Sequence, residues 1–216
     1  CINKLTQLNY FTPIGYLINF VKGHLMKLYH LFAYDRSLKV RWLANEINLP
    51  LQITQLDAMQ RAHKVEPFKS INPHGLIPTI EKDNGEVLFE AGAICLDICR
   101  EHAPQLIHEQ DIKFMQWLFY FASSVDQLSG GIIGLRVFGE KEQVREALER
   151  RIPHQLDAME QRLNKHDYWY NNQFSLLDIF AWQNLAYLFV DGQLKNHPNL
   201  AGYVEKIAKR PALASL

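Results

Sequence analysis

The tightest constraint on this chain is a change of periodicity near Pro104. Before it, short apolar runs of strand composition alternate with helical stretches; after it, apolar residues recur every three or four positions and no convincing strand follows. Residues 27–32 (KLYHLF) have strand length and composition. Val40, Leu43, Ala44 and Ile47 then mark one face of a helix entered near Asp35 to Ser37 and stopped at Asn48 and Pro50. Residues 51–56 (LQITQL) read as a second strand, and this β-α-β order predicts a parallel pair with a right-handed crossover. Residues 57–70 are expected to be irregular or a short helix. The runs 76–81 and 86–90 flank Lys82-Asp83-Asn84-Gly85, and Asn-Gly between such runs predicts a hairpin, followed by a helix from Ala91 towards Pro104. Helices are expected over 112–128, 141–164, 176–189 and 200–209. The prediction is an α/β domain over 26–103 and an all-α domain over 104–216.

Composition excludes several classes of function. Lys+Arg 23 against Asp+Glu 23 leaves a formal charge of zero, so no global field draws nucleic acid or a membrane surface. Cys1, Cys95 and Cys99 are too few for a disulfide framework and fit a reducing, cytoplasmic setting. Residues 1–25 are aromatic, irregular and broken by Pro13 and Gly15, whereas regular patterning starts at Met26. Their apolar stretch 14–21 is far shorter than the roughly 20 residues of a membrane span. No small-residue cleavage site of a signal peptide follows. We expect Met26 to be the natural start and 1–25 to be non-native upstream read-through or a poorly ordered extension, with an interfacial anchor as the alternative.

The most informative stretch is Asn72-Pro73-His74-Gly75-Leu76-Ile77-Pro78, immediately before a strand. Proline donates no ladder hydrogen bond, so one that opens a strand marks an edge or a bend. X-Pro is the one linkage where a cis peptide is cheap, although most such bonds are trans. A cis Ile77-Pro78 bond would leave the N–H and C=O of Ile77 unpaired at a sheet edge, ready for an extended peptide. Glu90 and Ala91 stand where the hairpin hands over to a helix. The N–H groups at that helix N-terminus would hold a carboxylate and Glu90 would pair with an ammonium, which together suit an α-amino acid; alone, Glu90 reads equally as a solvated helix-start carboxylate.

These residues, taken together, resemble a cytosolic glutathione transferase of bacterial type, with features similar to the phi, theta and nu classes. The usual Asn-Pro-x-Gly-x-Val-Pro followed by Glu-Ser-x-Ala-Ile reads here Asn72, Pro73, Gly75, Ile77, Pro78, then Glu90, Ala91, Ala93, Ile94. His63-Lys64-Val65-Glu66-Pro67-Phe68 is similar to the His-Lys-x-Pro-Glu-Phe segment of the phi class. Phe174 to Ile179 matches the family's capping box and folding motif, and Arg210-Pro211-Ala212 is a further family habit. The resemblance runs from Met26 to the C-terminus. It implies a thioredoxin-like N-terminal domain (βαβ-α-ββα), an all-helical C-terminal domain and a homodimer.

The resemblance also implies a chemistry. Glutathione, as co-substrate, would lie along the sheet edge, its cysteinyl backbone on Ile77 after Pro78. Its γ-glutamyl end would meet Glu90 and the Ala91 N–H, and its glycyl carboxylate His63 or Lys64. The thiol would face the start of the first helix, where a donor lowers its pKa, because the thiolate is the nucleophile that attacks a small electrophile, a peroxide or a disulfide. Aligned on Val40-Arg41, the family's catalytic serine falls on Tyr34, its strand tyrosine on His30 and its cysteine on Arg36. Tyr34 is therefore the first candidate, with Arg36 and Ser37 next, His30 reads as a core histidine, and no Cys-dependent dethiolation is expected. Ala91 in place of serine removes one hydroxyl contact to the ligand. The rival reading is a non-catalytic binding or regulatory protein on the same fold.

The remaining signals are read structurally. Cys95, Cys99 and His102 share a helical face but lack zinc spacing, so no metal is expected. Ser129 to Gly134 is glycine-rich and is expected to break or kink a helix. Trp117, Phe119, Tyr120 and Phe121 are expected in the core or a dimer interface. Arg136, Arg145, Arg150 and Arg151 are expected on solvated helix faces.

Overall fold

The computed structural model describes residues 26–216; the reading of 1–25 lies outside the described residues. Two compact units divide at Pro104 and Gln105.

The first unit is built on a four-stranded sheet of order β2-β1-β3-β4, made of β1 (Met26–His30), β2 (Leu51–Gln55), β3 (Thr79–Glu81) and β4 (Val87–Phe89). β1 and β2 are parallel, with Met26 opposite Leu51 and His30 opposite Gln55, joined through helix α1 (Leu38–Glu46). β3 runs antiparallel to both β1 and β4, pairing Tyr29 with Thr79 and Thr79 with Phe89. The hairpin forms where Asn84-Gly85 predicts it, but its strands are three residues each. Gly85 takes φ 84° and its N–H donates to the Lys82 carbonyl at 2.9 Å. A short helix α2 (Phe68–Ile71) overlaps the end of 57–70, and the Glu66 carboxylate accepts from the Ser70 N–H and hydroxyl at 3.0 and 2.6 Å. Helix α3 (Ala91–His102) packs against α1, β3 and β4. Leu28, Val40, Trp42, Leu43, Ile80, Ile94 and Cys95 of these elements are buried.

The second unit is helical throughout. Helix α4 (Ile112–Phe119) passes through a wider π turn (Tyr120–Val125) into α5 (Asp126–Phe138), so the helix expected to end at 128 runs on. The glycines of 129–134 do not break it. A Cβ on Gly131 would lie 2.9 Å from the Leu148 side chain, so glycine here lets the next helix pack close instead of ending its own. The single helix expected over 141–164 is two, α6 (Glu142–Glu149) and α7 (Ile152–Leu163). Pro153 sits in the first turn of α7; in one continuous helix its ring would clash with the Glu149 carbonyl four residues back.

Helix α8 (Leu176–Val190) is buried from Leu176 to Leu188, as a helix apolar all round must be, and packs against α4, α5, the π turn and α9 (Pro198–Ile207). Its start is the capping box read from the sequence, with Ser175 and Asp178 exchanging bonds. Burial raises the Asp178 carboxyl to about 6, against hydrogen bonds from Ser175, Tyr203 and Trp169 that lower it. A last short helix, α10 (Pro211–Ala214), closes the chain.

The aromatic stretch divides. Phe121 is buried against Trp169, with ring centroids 4.7 Å apart, and Trp117 stacks on Phe121, whereas Phe119 is 62% exposed. Arg145 is not a solvated arginine: its guanidinium pairs with Glu140, Glu149 and Asp191 at 2.6, 3.2 and 2.9 Å, tying α6 to the end of α8. Among the described residues no helix is long and apolar enough to cross a membrane, and no three metal-ligating side chains gather. Cys95 and Cys99 are buried thiols, and burial pushes Cys99 up to about 12.

Candidate glutathione site

The strand registers bring the singled-out residues to one end of the sheet. Tyr29 pairs with Thr79, so the loop 31–37 leaves β1 beside Ile77 and Pro78, which lead into β3. Thr79 pairs with Phe89, so Glu90 and Ala91 leave β4 at the same end. β2 is parallel to β1 and delivers the 57–65 segment, with His63 and Lys64, from that end too.

Local interactions then shape each piece. Asn72, which is buried, clamps the 72–79 loop: its amide donates to the Leu76 carbonyl at 3.3 Å and the Thr79 hydroxyl at 2.9 Å, while its Oδ1 accepts from the His74 N–H at 3.0 Å. Gly75 has φ 59°, and a Cβ there would sit 2.5 Å from the His63 carbonyl oxygen. Lys64 donates to the Gly75 carbonyl at 2.6 Å, so the 63–64 and 74–75 segments are held together. The Asn-Pro-x-Gly sequence is thus the device that shapes the loop before β3. Ile77-Pro78 is a cis peptide, and so is Glu66-Pro67, which the sequence reading does not anticipate. Neither the N–H nor the C=O of Ile77 has a hydrogen-bond partner among the described residues.

Across the hairpin, Glu90 is exposed and holds φ 69°, ψ 117°, a conformation that costs a non-glycine residue about 1–3 kcal/mol. Its carbonyl accepts from Ile94 at 3.0 Å, which starts α3. The N–H groups of Ala91, Gly92 and Ala93 ahead of that bond find no partner among the described residues. They form a helix N-terminus open to an anion. Nδ1 of His63 is likewise buried and without a partner, and burial, together with the charges of Lys64 and Arg61, lowers its pKa.

Of the candidates for thiol activation, Tyr34 is half-buried, Arg36 exposed and Ser37 buried at the N-cap of α1. The Ser37 hydroxyl makes no cap bond and has no partner among the described residues. His30 is buried, its Nδ1 lies 3.3 Å from the Phe32 carbonyl, and burial lowers its pKa, as a core histidine requires. The residue the sequence reading passes over is Asp35, whose carboxylate accepts from the N–H groups of Leu31, Phe32 and Ser37 at 2.6, 2.9 and 2.7 Å. An Asp two residues ahead of a serine at a helix start carries an Asx-turn signature, which was the available signal.

The chain matches two family models, glutathione S-transferase N-terminal domain over residues 25–98 and glutathione S-transferase C-terminal domain over 135–215. Among relatives, glutathione S-transferase APIC of Nicotiana tabacum is 29% identical over 195 residues, covering 82% of this chain and 89% of its own. Glutathione S-transferase F13 of Arabidopsis thaliana is 26% identical over 204 residues, with 87% and 92% covered. The crystal structure of glutathione transferase F7 from Populus trichocarpa shares the fold with a TM-score of 0.78 at 23% identity, covering 88% of this chain and 96% of that one. A sphingomonad glutathione S-transferase complexed with glutathione gives 0.75 at 23% identity, with 88% and 96% covered. With both halves matched in order and relatives aligned over most of their length, this chain belongs to the glutathione S-transferase family.

Proposed function

We propose that this protein binds glutathione at the end of the sheet where Ile77, Glu90 and Ala91 meet and transfers its thiolate to small electrophiles. The observation that carries the reading is the main chain of Ile77, unpaired among the described residues, beside the N-terminus of α3. An extended peptide satisfies the first by strand addition, and its terminal carboxylate satisfies the second. Glu90 takes the ammonium group of that terminus, and His63 or Lys64 meets the carboxylate at the far end. Tyr34, Arg36 or Ser37 then faces the sulfur: a hydroxyl or a guanidinium that binds thiolate better than thiol lowers the thiol pKa. The thiol proton leaves to solvent, the sulfur lone pair forms the new S–C bond, and the leaving group departs with the electrons of the bond it breaks. On a peroxide the same thiolate breaks the O–O bond, expelling the alcohol and leaving a sulfenic acid that a second glutathione converts to disulfide and water; on a disulfide it breaks S–S and expels the other sulfur as thiolate.

The 26–103 domain carries this site, and we place the protein in the cytoplasm as a homodimer. Exposed Ile112, Phe119 and Phe138 on the helical unit supply apolar surface for an interface. One observation favours the non-catalytic alternative: Ala91 stands where a serine would add a hydroxyl to the ligand carboxylate, a loss of about 0.5–1.5 kcal/mol. Retention on glutathione-agarose tests the site, and turnover of chlorodinitrobenzene by wild type and Tyr34→Phe tests the chemistry. Retention without turnover supports the alternative. Turnover unchanged in Tyr34→Phe moves the donor role to Arg36 or Ser37. Absence of both retention and turnover refutes the proposal.

A further inference from the structure

The segment between β1 and α1 is only seven residues, 31–37, yet it must place every candidate for thiol activation. Little in its sequence stiffens it, since Leu31-Phe32-Ala33-Tyr34-Asp35-Arg36-Ser37 contains no proline and no repeating pattern. One side chain ties its two ends together. Asp35 Oδ2 accepts from the Leu31 and Phe32 N–H groups at 2.6 and 2.9 Å, and Oδ1 accepts from the Ser37 N–H at 2.7 Å. The carboxylate therefore joins the exit of β1 to the entry of α1 and folds the segment around itself. Secondary ties act on the same loop: Gln55 donates to the Leu31 carbonyl at 3.0 Å, Arg41 donates to the Ala33 carbonyl, and the Asp35 N–H reaches the Phe32 carbonyl at 3.3 Å. Beneath lies His30, which feels opposite charges from Asp35 and Arg41.

We infer that Asp35 is a positioning residue for the thiol: by gathering the three main-chain N–H groups it sets where Tyr34, Arg36 and the first turn of α1 stand relative to the sulfur. The inference rests on the proposal that this loop meets the glutathione thiol. Its physical logic is that an activating donor works only when held close to its productive place, and displacement by about 1 Å costs on the order of a hundredfold in rate. An oxygen can accept from several N–H groups, whereas an amide nitrogen repels them. Asparagine at 35 keeps one side of the clamp and opposes the other.

Charge and position pull in opposite directions, which makes the inference testable. A carboxylate near a developing thiolate disfavours it by Coulomb repulsion. If charge were what Asp35 contributes, Asp35→Asn would lower the pKa of bound glutathione and raise the rate. If position is what it contributes, the thiol pKa rises and the rate falls. The experiment measures kcat and KM for glutathione, and titrates the thiolate absorbance of bound glutathione, in wild type, Asp35→Asn and Asp35→Ala. We expect kcat to fall about tenfold in Asp35→Asn and further in Asp35→Ala, thiol titration to move to higher pH in the same order, and KM to stay within about twofold. KM is spared because Ile77, Glu90 and Ala91 lie on other elements.

Should Asp35→Ala not fold, Asp35→Asn retained on glutathione-agarose with a wild-type circular dichroism spectrum carries the test. Wild-type kcat and thiol titration in Asp35→Asn, a titration shifted to lower pH, or a loss confined to KM each overturns the inference. Wild type that neither binds glutathione nor turns over overturns the underlying proposal, and the inference with it.

Discussion

Gly75 and Gly85 both hold positive φ, 59° and 84°, and differ in what surrounds them. A Cβ on Gly85 meets nothing within 4 Å. A Cβ on Gly75 would lie 2.5 Å from the His63 carbonyl oxygen and 3.1 Å from Lys64 Cδ. A side chain in the left-handed region costs about 1 kcal/mol at either site, partly offset by the reduced freedom of the unfolded alanine chain. At Gly75 the contact is with backbone, which moves only with the 61–65 segment, and overpacking of this kind adds about 1–3 kcal/mol. We expect Gly85→Ala to cost 1 kcal/mol or less and Gly75→Ala about 3 kcal/mol. Urea denaturation at fixed pH reads both; in a chain of this size 3 kcal/mol lowers Tm by about 6–12 °C. Because the Gly75 carbonyl holds Lys64, KM for glutathione rises in Gly75→Ala and not in Gly85→Ala. Equal stability losses in the two variants would refute the claim that close approach, rather than backbone conformation, demands glycine at 75.

Three further outcomes follow from particular residues. Glu90→Gly releases a strained φ of 69°, so the unfolding free energy from urea curves rises by about 1 kcal/mol net of the flexibility glycine adds to the unfolded chain, while glutathione affinity falls about tenfold; unchanged affinity removes Glu90 from the site. The Asp178 carboxyl, raised to about 6 from 3.8, favours the fold when protonated: that contribution is complete below about pH 4 and is lost as pH rises through 6, worth about 3 kcal/mol at about 1.4 per unit. Asp178→Asn abolishes that slope between pH 4 and 7 in denaturation curves, and a slope identical to wild type refutes the assignment. Cys95 and Cys99, both buried and with thiols pushed up, stay unlabelled by iodoacetamide in the native protein and label in urea, as peptide mass spectrometry reads; fast native labelling of either refutes their burial.

Much of the fold is legible because its signals are local. The β-α-β order needs only the runs 27–32 and 51–56 with helical spacing between them, and the hairpin needs only Asn84-Gly85. The capping box of α8 is four residues long, and Ser175 and Asp178 form it as read. Two readings failed where neighbours decided. The glycines of 129–134 look like a break until Leu148 is seen against Gly131. Arg145 looks solvated until Asp191, 46 residues away, supplies its partner.

The candidate site divides along the same line. Residue types at Ile77, Pro78, Glu90 and Ala91 are readable in order, because a proline before a strand and a helix start are local signals. What folding alone decided is that His63, Ile77, Glu90 and the 31–37 loop reach one end of one sheet, since strand register is a pairing between distant segments that no single segment encodes. Folding also gave Asp35 its place, because whether a carboxylate captures three N–H groups depends on where the chain returns, not on what flanks it.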